Sequence, residues 1–89
     1  MGIMGGGMHA VSRQNVGCLV EYAPSGVATP RVVLWPDGRR FVVERVLGRT
    51  KAMSTADGHL GVRYTCLIGG APRHVYWDGS VWFVEARRT

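Results

Sequence analysis

Hydrophobic and polar residues alternate most regularly between residues 61 and 68 of the chain. The apolar members of this series occupy every second position: Val62, Tyr64, Cys66 and Ile68. A period of two over this length predicts a β-strand that turns one face toward a core. We therefore expect these side chains to point inward, and the intervening Arg63 and Thr65 to point outward.

Two Asp-Gly dipeptides elsewhere in the chain each separate a pair of apolar segments. The flanking segments are residues 31–35 and 40–47 around Asp37-Gly38, and residues 73–77 and 81–85 around Asp78-Gly79. Glycine accepts the positive φ that tight turns need, and Pro36 sets φ at the entry to the first turn. Each unit is therefore predicted to be a β-hairpin.

The remaining connections extend these units. Gly69-Gly70 links the alternating strand to residues 73–77, so residues 61–85 are predicted to form a three-stranded meander. Residues 48–60 form one long connection, which either extends the preceding strand or contains a helical turn near 48–56. Residues 42–47 also fit one face of a helix, but their β-branching and the turn before them favour a strand.

The pattern is weaker before residue 30. Residues 1–8 are rich in glycine and methionine, and we interpret them as a flexible leader. Residues 9–29 contain a strand-like segment at 16–22, which ends at a Pro-Ser-Gly turn. This region is interpreted as an N-terminal arm or edge strand, and residues 30–89 as the β-barrel domain.

These elements define a fold class. Five strands of this length leave too few residues for the two full sheets of a sandwich. We predict an all-β domain, a small and partly open SH3-like barrel of about five antiparallel strands. A chain of 89 residues buries a small core in such a fold.

Charge adds a possible partner to this picture. The chain has 11 basic against 6 acidic residues, a formal net charge of +5, and Lys51 is its only lysine. Arginine binds phosphate through two parallel hydrogen bonds and stacks on planar groups. An arginine-rich basic domain therefore favours nucleic acid as a partner, although basic residues also serve solubility alone.

Catalytic and metal chemistry find no support in the sequence. The three histidines lie at positions 9, 59 and 74, without the close spacing of metal ligands. The aspartates at 37, 57 and 78 are explained as turn formers, and Glu44 and Glu85 as cross-strand ion pairs. No serine lies in a nucleophile elbow, and no glycine-rich segment leads into a phosphate-binding helix. We expect a protein that is not an enzyme and that needs no cofactor or metal.

The cysteines and the hydropathy bear on location. Cys18 and Cys66 form no Cys-x-x-Cys motif, and we interpret Cys66 as a reduced, buried residue. No apolar run approaches the roughly 20 residues of a membrane span, and we expect no signal sequence, because the first residues lack the apolar run that such a signal needs. These features predict a cytoplasmic protein that does not enter a membrane.

A longer pattern resembles a known group of domains. It combines Trp35, Asp37-Gly38-Arg39, Phe41 and Arg45-Val46-Leu47 with Gly61, Arg63-Tyr64 and Trp82-Phe83-Val84-Glu85. This pattern resembles small bacterial domains of SH3-like β-barrel type, some of which accompany DNA-repair or mobile-element genes. The resemblance covers about residues 30–86. It implies a barrel fold and a nucleic-acid context, and it brings no catalytic residues with it.

Two functions remain open. The first is a binding module that contacts single-stranded nucleic acid through an arginine-rich barrel face, with bases stacked on an exposed aromatic ring. The candidate residues are Arg39, Arg40, Arg45, Arg49, Arg63, Arg73 and Tyr76, with Trp35, Trp77 or Trp82 as further aromatic candidates. The second is a protein-interaction module or homodimer, in which residues 12–22 or an exposed barrel edge add a strand to another chain. Aromatic side chains that only fill a thin core are the structural alternative to the first.

Overall fold

A computed structural model of the protein describes residues 11–53 and 60–87. These residues form seven β-strands, all paired in antiparallel fashion. The strands are β1 (Val11–Tyr22), β2 (Ala28–Leu34), β3 (Arg40–Val42), β4 (Arg45–Met53), β5 (Leu60–Ile68), β6 (Ala71–Trp77) and β7 (Trp82–Arg87). In this part of the chain no helix is long and apolar enough to cross a membrane. The leader interpreted at residues 1–8 lies outside the described residues.

The seven strands form one sheet in the order β3-β2-β1-β7-β6-β5-β4. Its two edge strands, β3 and β4, follow each other directly in sequence. The backbone N–H of Val43 donates to the carbonyl of Arg31 on β2, and that of Glu44 donates to the carbonyl of Leu67 on β5. Two consecutive residues thus connect opposite ends of the sheet, so the sheet curls into a partly open barrel. The all-β, barrel-like fold is confirmed.

The predicted number of strands, about five, is wrong. The segment 40–47 was expected to be one strand, but it divides into β3 and β4 at Val43 and Glu44. Val43 is 4% exposed, whereas the preceding Val42 is 63% exposed. At this point the chain leaves its partner β2 and begins to pair with β5. A continuous apolar run does not reveal such a change of partner, because the residues on both sides of it suit a strand.

Strand β4 continues through much of the predicted long connection. Residues 48–53 are extended and pair with β5, so they form no helical turn. The remainder of the helical turn considered near 48–56 lies outside the described residues. The strand prediction of that segment is therefore confirmed as far as Met53.

The N-terminal segment occupies an interior position in the sheet. The first half of β1 pairs with β7, from Val11 opposite Arg87 to Val16 opposite Trp82. Its second half pairs with β2. Residues 11–22 are therefore an interior strand, whereas the sequence interpretation allowed an arm or an edge strand. Each half of β1 has one paired backbone edge, to β7 for residues 11–16 and to β2 for residues 17–22, so strand addition through residues 12–22 stays a prediction.

The core lies on the concave side of the curled sheet. Its buried members are Val33, Val43, Tyr64, Cys66, Val75 and Trp82. The ring of Trp82 lies 5.3 Å from that of Tyr64 and 5.2 Å from that of Trp77, measured between centroids. The alternation predicted for β5 is confirmed, since Tyr64 and Cys66 are 4% and 0% exposed while Arg63 and Thr65 lie on the outer face.

Candidate nucleic-acid interface

A cleft opens in the barrel wall between β6 and β7. These strands pair at two positions, Tyr76 with Phe83 and Trp77 with Trp82, next to the turn that joins them. Beyond those positions β6 pairs with β5 and β7 pairs with β1, but the ladder between β6 and β7 does not continue. The gap between the two strands gives access to the concave side of the sheet.

The cleft has a volume of about 640 Å³. Most of its lining is apolar and comes from both ends of the sheet: Val33, Trp35, Phe41, Ile68, Val75 and Val84. Polar groups enter at one side, from Arg73, His74, Tyr76 and Glu85. A concave, mainly apolar space of this size with a few polar groups is typical of sites that bind small molecules or single chemical groups of larger ones.

Aromatic rings form one lip of the cleft. Trp35 and Phe41 pack edge to face, with centroids 6.0 Å apart and ring planes at 84°. Both are half-buried. The guanidinium carbon of Arg39 lies 5.8 Å from the centroid of Trp35 and 5.6 Å from that of Phe41. A cation at this distance is attracted by the negative face of an aromatic ring, so the lip combines positive charge with flat apolar surface.

The turn between β2 and β3 holds this lip in place. The N–H of Gly38 donates to the Trp35 carbonyl, and the N–H of Trp35 donates to the Arg39 carbonyl. Gly38 has φ +95°, which explains the need for glycine here. Asp37 accepts from the Arg39 N–H through Oδ1 and from Arg39 Nε through Oδ2, at 3.0 and 2.7 Å. These bonds lower the pKa of Asp37, chiefly the one from the backbone N–H.

The polar side of the cleft is internally hydrogen-bonded. The Tyr76 hydroxyl donates to Oε1 of Glu85 at 3.0 Å. Burial raises the pKa of Tyr76, and the bond to Glu85 adds to the shift. His74 Nδ1 and Thr65 Oγ1 lie 3.2 Å apart, within hydrogen-bond distance. Tyr76 is therefore a neutral donor over the physiological range, and its proton serves to hold Glu85.

The predicted arginines do not form a single patch. Directly opposed residues of antiparallel strands share a face, so the register assigns each arginine to one side. Arg40, Arg45 and Arg63 lie on the face away from the core, opposite Leu34, Leu67 and the buried Tyr76. Arg49 and Arg73 instead oppose the core residues Tyr64 and Cys66, and so they border the concave side. Arg39 lies in the turn, above the aromatic lip.

Two of the predicted arginines, Arg39 and Arg73, therefore meet the cleft. Arg73 lines it from β6, and Arg39 stands over the two rings that line it from β2 and β3. Both side chains are exposed. The cleft is thus bordered by a guanidinium on each side of its aromatic and aliphatic lining.

Tyr76 is not an exposed stacking surface. It is 5% exposed, and its ring stacks on Phe83 with centroids 5.0 Å apart and planes at 8°. Trp82, another candidate, is 8% exposed and lies in the core, where Trp77 packs against it. For these rings the structural alternative is correct: they fill the core and do not form a surface on which a base could stack. Trp35 is the candidate whose surroundings suit a ligand, because it borders the cleft.

A second, shallower depression lies on the concave side of β4 and β5. It has a volume of about 410 Å³ and is lined by Arg49, Thr50, Lys51, Val62 and Tyr64. Two exposed cations face this depression. It offers charge for an anionic group but little apolar surface.

The cysteines and carboxylates form no metal centre or reactive thiol. In the described part of the chain, no three His, Cys, Asp or Glu residues lie together as metal ligands. Cys18 and Cys66 are free thiols. Burial raises the pKa of each to about 11, so both remain protonated and unreactive near neutral pH.

Sequence reasoning missed the role of the first hairpin in the cleft. Pro36, Asp37 and Gly38 of its turn were assigned to structure alone, Arg39 was one of seven candidates, and Trp35 was one of several further aromatic candidates. The sequence Trp35-Pro-Asp-Gly-Arg39-Arg-Phe41 contained a usable signal, since a tight turn places residues before and after it close together. The contribution of β6 and β7 has no such local signal, because it depends on where their ladder ends.

The fold and cleft define a small all-β protein with an open, partly curled barrel and a basic aromatic cleft. Comparison with known proteins finds no matching family model, no matching curated protein and no matching solved structure. The function therefore has to be argued from the cleft itself.

Proposed function

We propose that the chain is a non-enzymatic binding module that holds single-stranded nucleic acid at the cleft between β6 and β7. One base would lie in the cleft against Trp35 and Phe41, and the adjoining phosphates would meet Arg39 and Arg73. The observation that supports this proposal is the lip itself, in which two half-buried rings lie beneath the Arg39 guanidinium. The opposite wall adds a second exposed arginine.

The energetics of single-strand binding fit these groups. Stacking a base on an aromatic side chain contributes about 1–3 kcal/mol and tolerates any base, because every base has a flat face. Arginine adds charge-assisted hydrogen bonds to phosphate oxygens and also stacks on planar groups. The net charge of +5 supplies the long-range attraction that brings a polyanion to the surface.

The other predicted arginines have different parts in this proposal. Arg49, together with Lys51, borders the second depression on the concave side and is placed to meet a phosphate further along the strand. Arg40, Arg45 and Arg63 belong to the outer face. They contribute to the overall field of the protein and not to contacts inside the cleft.

Two finer statements belong to the same proposal. The barrel is of the SH3-like kind that the sequence pattern resembles, with its two edges joined through Val43 and Glu44. The protein works in the cytoplasm, which suits the two free thiols. Neither statement is needed for the cleft to bind a base.

The test is oligonucleotide binding measured by fluorescence anisotropy. A labelled single-stranded oligonucleotide is titrated with protein at about 50 mM and about 200 mM salt, and binding is expected to weaken steeply with salt because counterions are released. Trp35→Ala is expected to weaken binding by about tenfold or more through lost stacking. Arg73→Ala should weaken it and reduce the salt dependence by about one counterion.

Arg45→Ala is the matched control, since it removes an exposed arginine from the outer face of the same barrel. It should alter binding far less than Arg73→Ala. The absence of binding at about 50 mM salt would refute the proposed function. Equal losses for Arg45→Ala and Arg73→Ala would refute the cleft as the site.

A further inference from the structure

The backbone of β6 turns toward its two neighbouring strands at alternating residues. Ile68 and Ala71 are paired across the Gly69-Gly70 turn, and both glycines have positive φ, +60° and +77°. In hairpin turns of this kind the first and last residues share a hydrogen bond, and the pairs that follow alternate between bonded and non-bonded. The odd-numbered residues of β6 therefore bond to β5, and the even-numbered residues point their N–H and C=O groups toward β7.

Two further positions agree with this alternation. Pro72 has no N–H, and it lies opposite Leu67, where the alternation requires no N–H on the β5 side. Just after the end of β6, the N–H of Asp78 donates to the carbonyl of Val81, at the start of β7. Both residues have even numbers. The side of β6 that faces β7 is therefore known for the whole strand.

His74 presents its backbone to the cleft. It lies on β6 between Pro72 and Tyr76, and it lines the cleft. Its N–H and C=O point into the gap between the strands, because the β6–β7 ladder ends at Tyr76. Pro72 offers a C=O alone, so His74 is the residue of β6 that presents both a donor and an acceptor there. Such groups need a partner wherever a ligand excludes water from them.

We infer that this backbone pair hydrogen-bonds the base-pairing edge of the base held in the cleft, an inference that rests on the proposed function. Every base has a donor next to an acceptor on that edge, and proteins commonly bind single-stranded bases through it. The His74 N–H donates to the acceptor of the base, and the His74 C=O accepts from its donor. The base thus takes the place of the missing strand at one position.

This contact defines which nucleic acids the cleft accepts. In a duplex, the base-pairing edge is occupied by the partner base, so it is not available to His74. Trp35 and Phe41 provide stacking, which depends little on the identity of the base. The ligand class is therefore an unpaired base of any kind, and a base whose pairing edge is blocked binds poorly.

A peptide strand is a poorer occupant of the same gap. Strand addition gains its affinity from several main-chain hydrogen bonds in a row. On β6, Pro72 lacks an N–H, and Tyr76 is already paired with β7. An added strand would find a complete donor–acceptor pair at His74 only. A single base needs no more than one such pair.

Oligonucleotides with an altered base edge test this inference. The wild-type protein is titrated at about 50 mM salt with labelled oligothymidylate and with the same oligomer N3-methylated at every base. The methyl group removes the donor from the pairing edge and leaves the phosphates and the flat face of the base. Binding should weaken by about tenfold, as for the loss of one well-placed pair of hydrogen bonds. Oligodeoxyuridylate is the matched control: it lacks only the C5-methyl group, which lies off the pairing edge, and should bind within about twofold of oligothymidylate.

Proline substitution tests the protein side of the contact. His74→Pro removes the backbone N–H, and the β5–β6 ladder should remain, since Pro72 already occupies an equivalent position. This variant should bind oligothymidylate about fivefold more weakly or worse, and the two oligomers should differ less. His74→Ala is the control, because it removes the imidazole ring but keeps the N–H; the full difference between the oligomers should persist. Circular dichroism verifies that both variants are folded.

The outcomes separate this inference from the proposed function. Equal binding of the two oligomers, with binding still lost in Trp35→Ala, overturns the inference and leaves the proposed function standing. An equal response to His74→Pro and His74→Ala overturns the assignment to the backbone. No binding of oligothymidylate at about 50 mM salt overturns both proposals. If His74→Pro does not fold, the comparison of the oligomers on the wild-type protein decides alone.

Discussion

The two Asp-Gly hairpins of this protein have nearly the same turn sequence but different roles in the structure. In the first, Trp35 precedes Pro36-Asp37-Gly38, and in the second Trp77 directly precedes Asp78-Gly79. Both glycines have positive φ, +95° at Gly38 and +99° at Gly79. In both turns the backbone therefore needs a positive φ at the same point, and glycine supplies it.

The difference lies in what each aspartate contacts. Asp37 bonds within its own turn, to Arg39, and its side chain is 51% exposed. The Asp78 side chain is 8% exposed; it accepts the N–H groups of Ser80 and Val81 and also pairs with Arg13, far away on β1. The Arg13 guanidinium in turn lies 4.1 Å from the centroid of Phe83.

The same contrast extends to the tryptophans. Trp77 packs on Trp82 and belongs to the barrel interior, whereas Trp35 stands at the lip of an open cleft. The second hairpin is tied to the rest of the sheet, and the first is held mainly by itself. A local turn signal thus predicts a hairpin correctly, but it does not tell an anchoring hairpin from a binding one.

Truncating a tryptophan in each region should give the largest difference. Trp82→Ala removes a buried ring from the core and should lower the free energy of unfolding by about 3–5 kcal/mol. Trp35→Ala removes a half-buried ring and should cost about 1–2 kcal/mol while the protein stays folded. Urea denaturation followed by circular dichroism measures both values. Equal costs would mean that the lip is part of the core.

Neutralising the aspartates should give the next largest difference. Bonds from the Val81 and Ser80 N–H groups, and then from Arg13, lower the pKa of Asp78 from 3.8 to about 2. A carboxyl with a depressed pKa stabilises the fold above about pH 4, and that stabilisation is lost as the pH falls toward 2. Asp78→Asn should therefore lower the Tm at pH 7 and flatten its decline between pH 4 and pH 2.

Asp37→Asn is the comparison for that variant. Its pKa is also lowered, but the side chain is exposed and bonds only locally, so solvent screens the interaction. The Tm should fall roughly twice as much for Asp78→Asn as for Asp37→Asn. Thermal melts of both variants and of the wild type at pH 2, 4 and 7 measure these Tm values. A larger effect at position 37 would contradict the assignment of Asp78 as the anchor.

Replacing the two turn glycines should give the smallest difference. A Cβ at Gly38 or Gly79 meets no atom within 4 Å, so the cost of alanine is conformational at both sites. Gly38→Ala and Gly79→Ala should each cost about 1–2 kcal/mol, because alanine resists positive φ. Chemical denaturation should give values within about 0.5 kcal/mol of each other. A clear gap between them would show that the turns differ in backbone strain as well as in contacts.

The sequence predicted those elements whose signal is local. The Asp-Gly hairpins and the alternation from Val62 to Ile68 are both determined by residues close together in the chain, and both are present. Strand β1 was recognised only in part. Its first half includes Arg13, Gln14 and Asn15, polar residues that do not suggest a strand on their own. They are extended because β7 supplies their backbone partners.

The candidate site was predictable only at the level of residue type. The excess of arginine indicated an anionic partner. The register, however, places Arg45 and Arg63 on one face of the sheet and Arg49 and Arg73 on the other. The bulge between Val46 and Gly48 contributes to that division, since it shifts the alternation along β4. The cleft depends on where the β6–β7 ladder ends, a property of the whole sheet that no short segment specifies.

The pairing of β1 with β7 has a consequence for how the protein is made. Val11 lies opposite Arg87, so an early strand of the chain forms half of its ladder with the last strand of the described fold. Such a non-local contact forms slowly, because a long intervening chain must first be brought together. On the ribosome, the first half of β1 has no partner until β7 has emerged. The barrel therefore completes its sheet only after synthesis has passed the last strand.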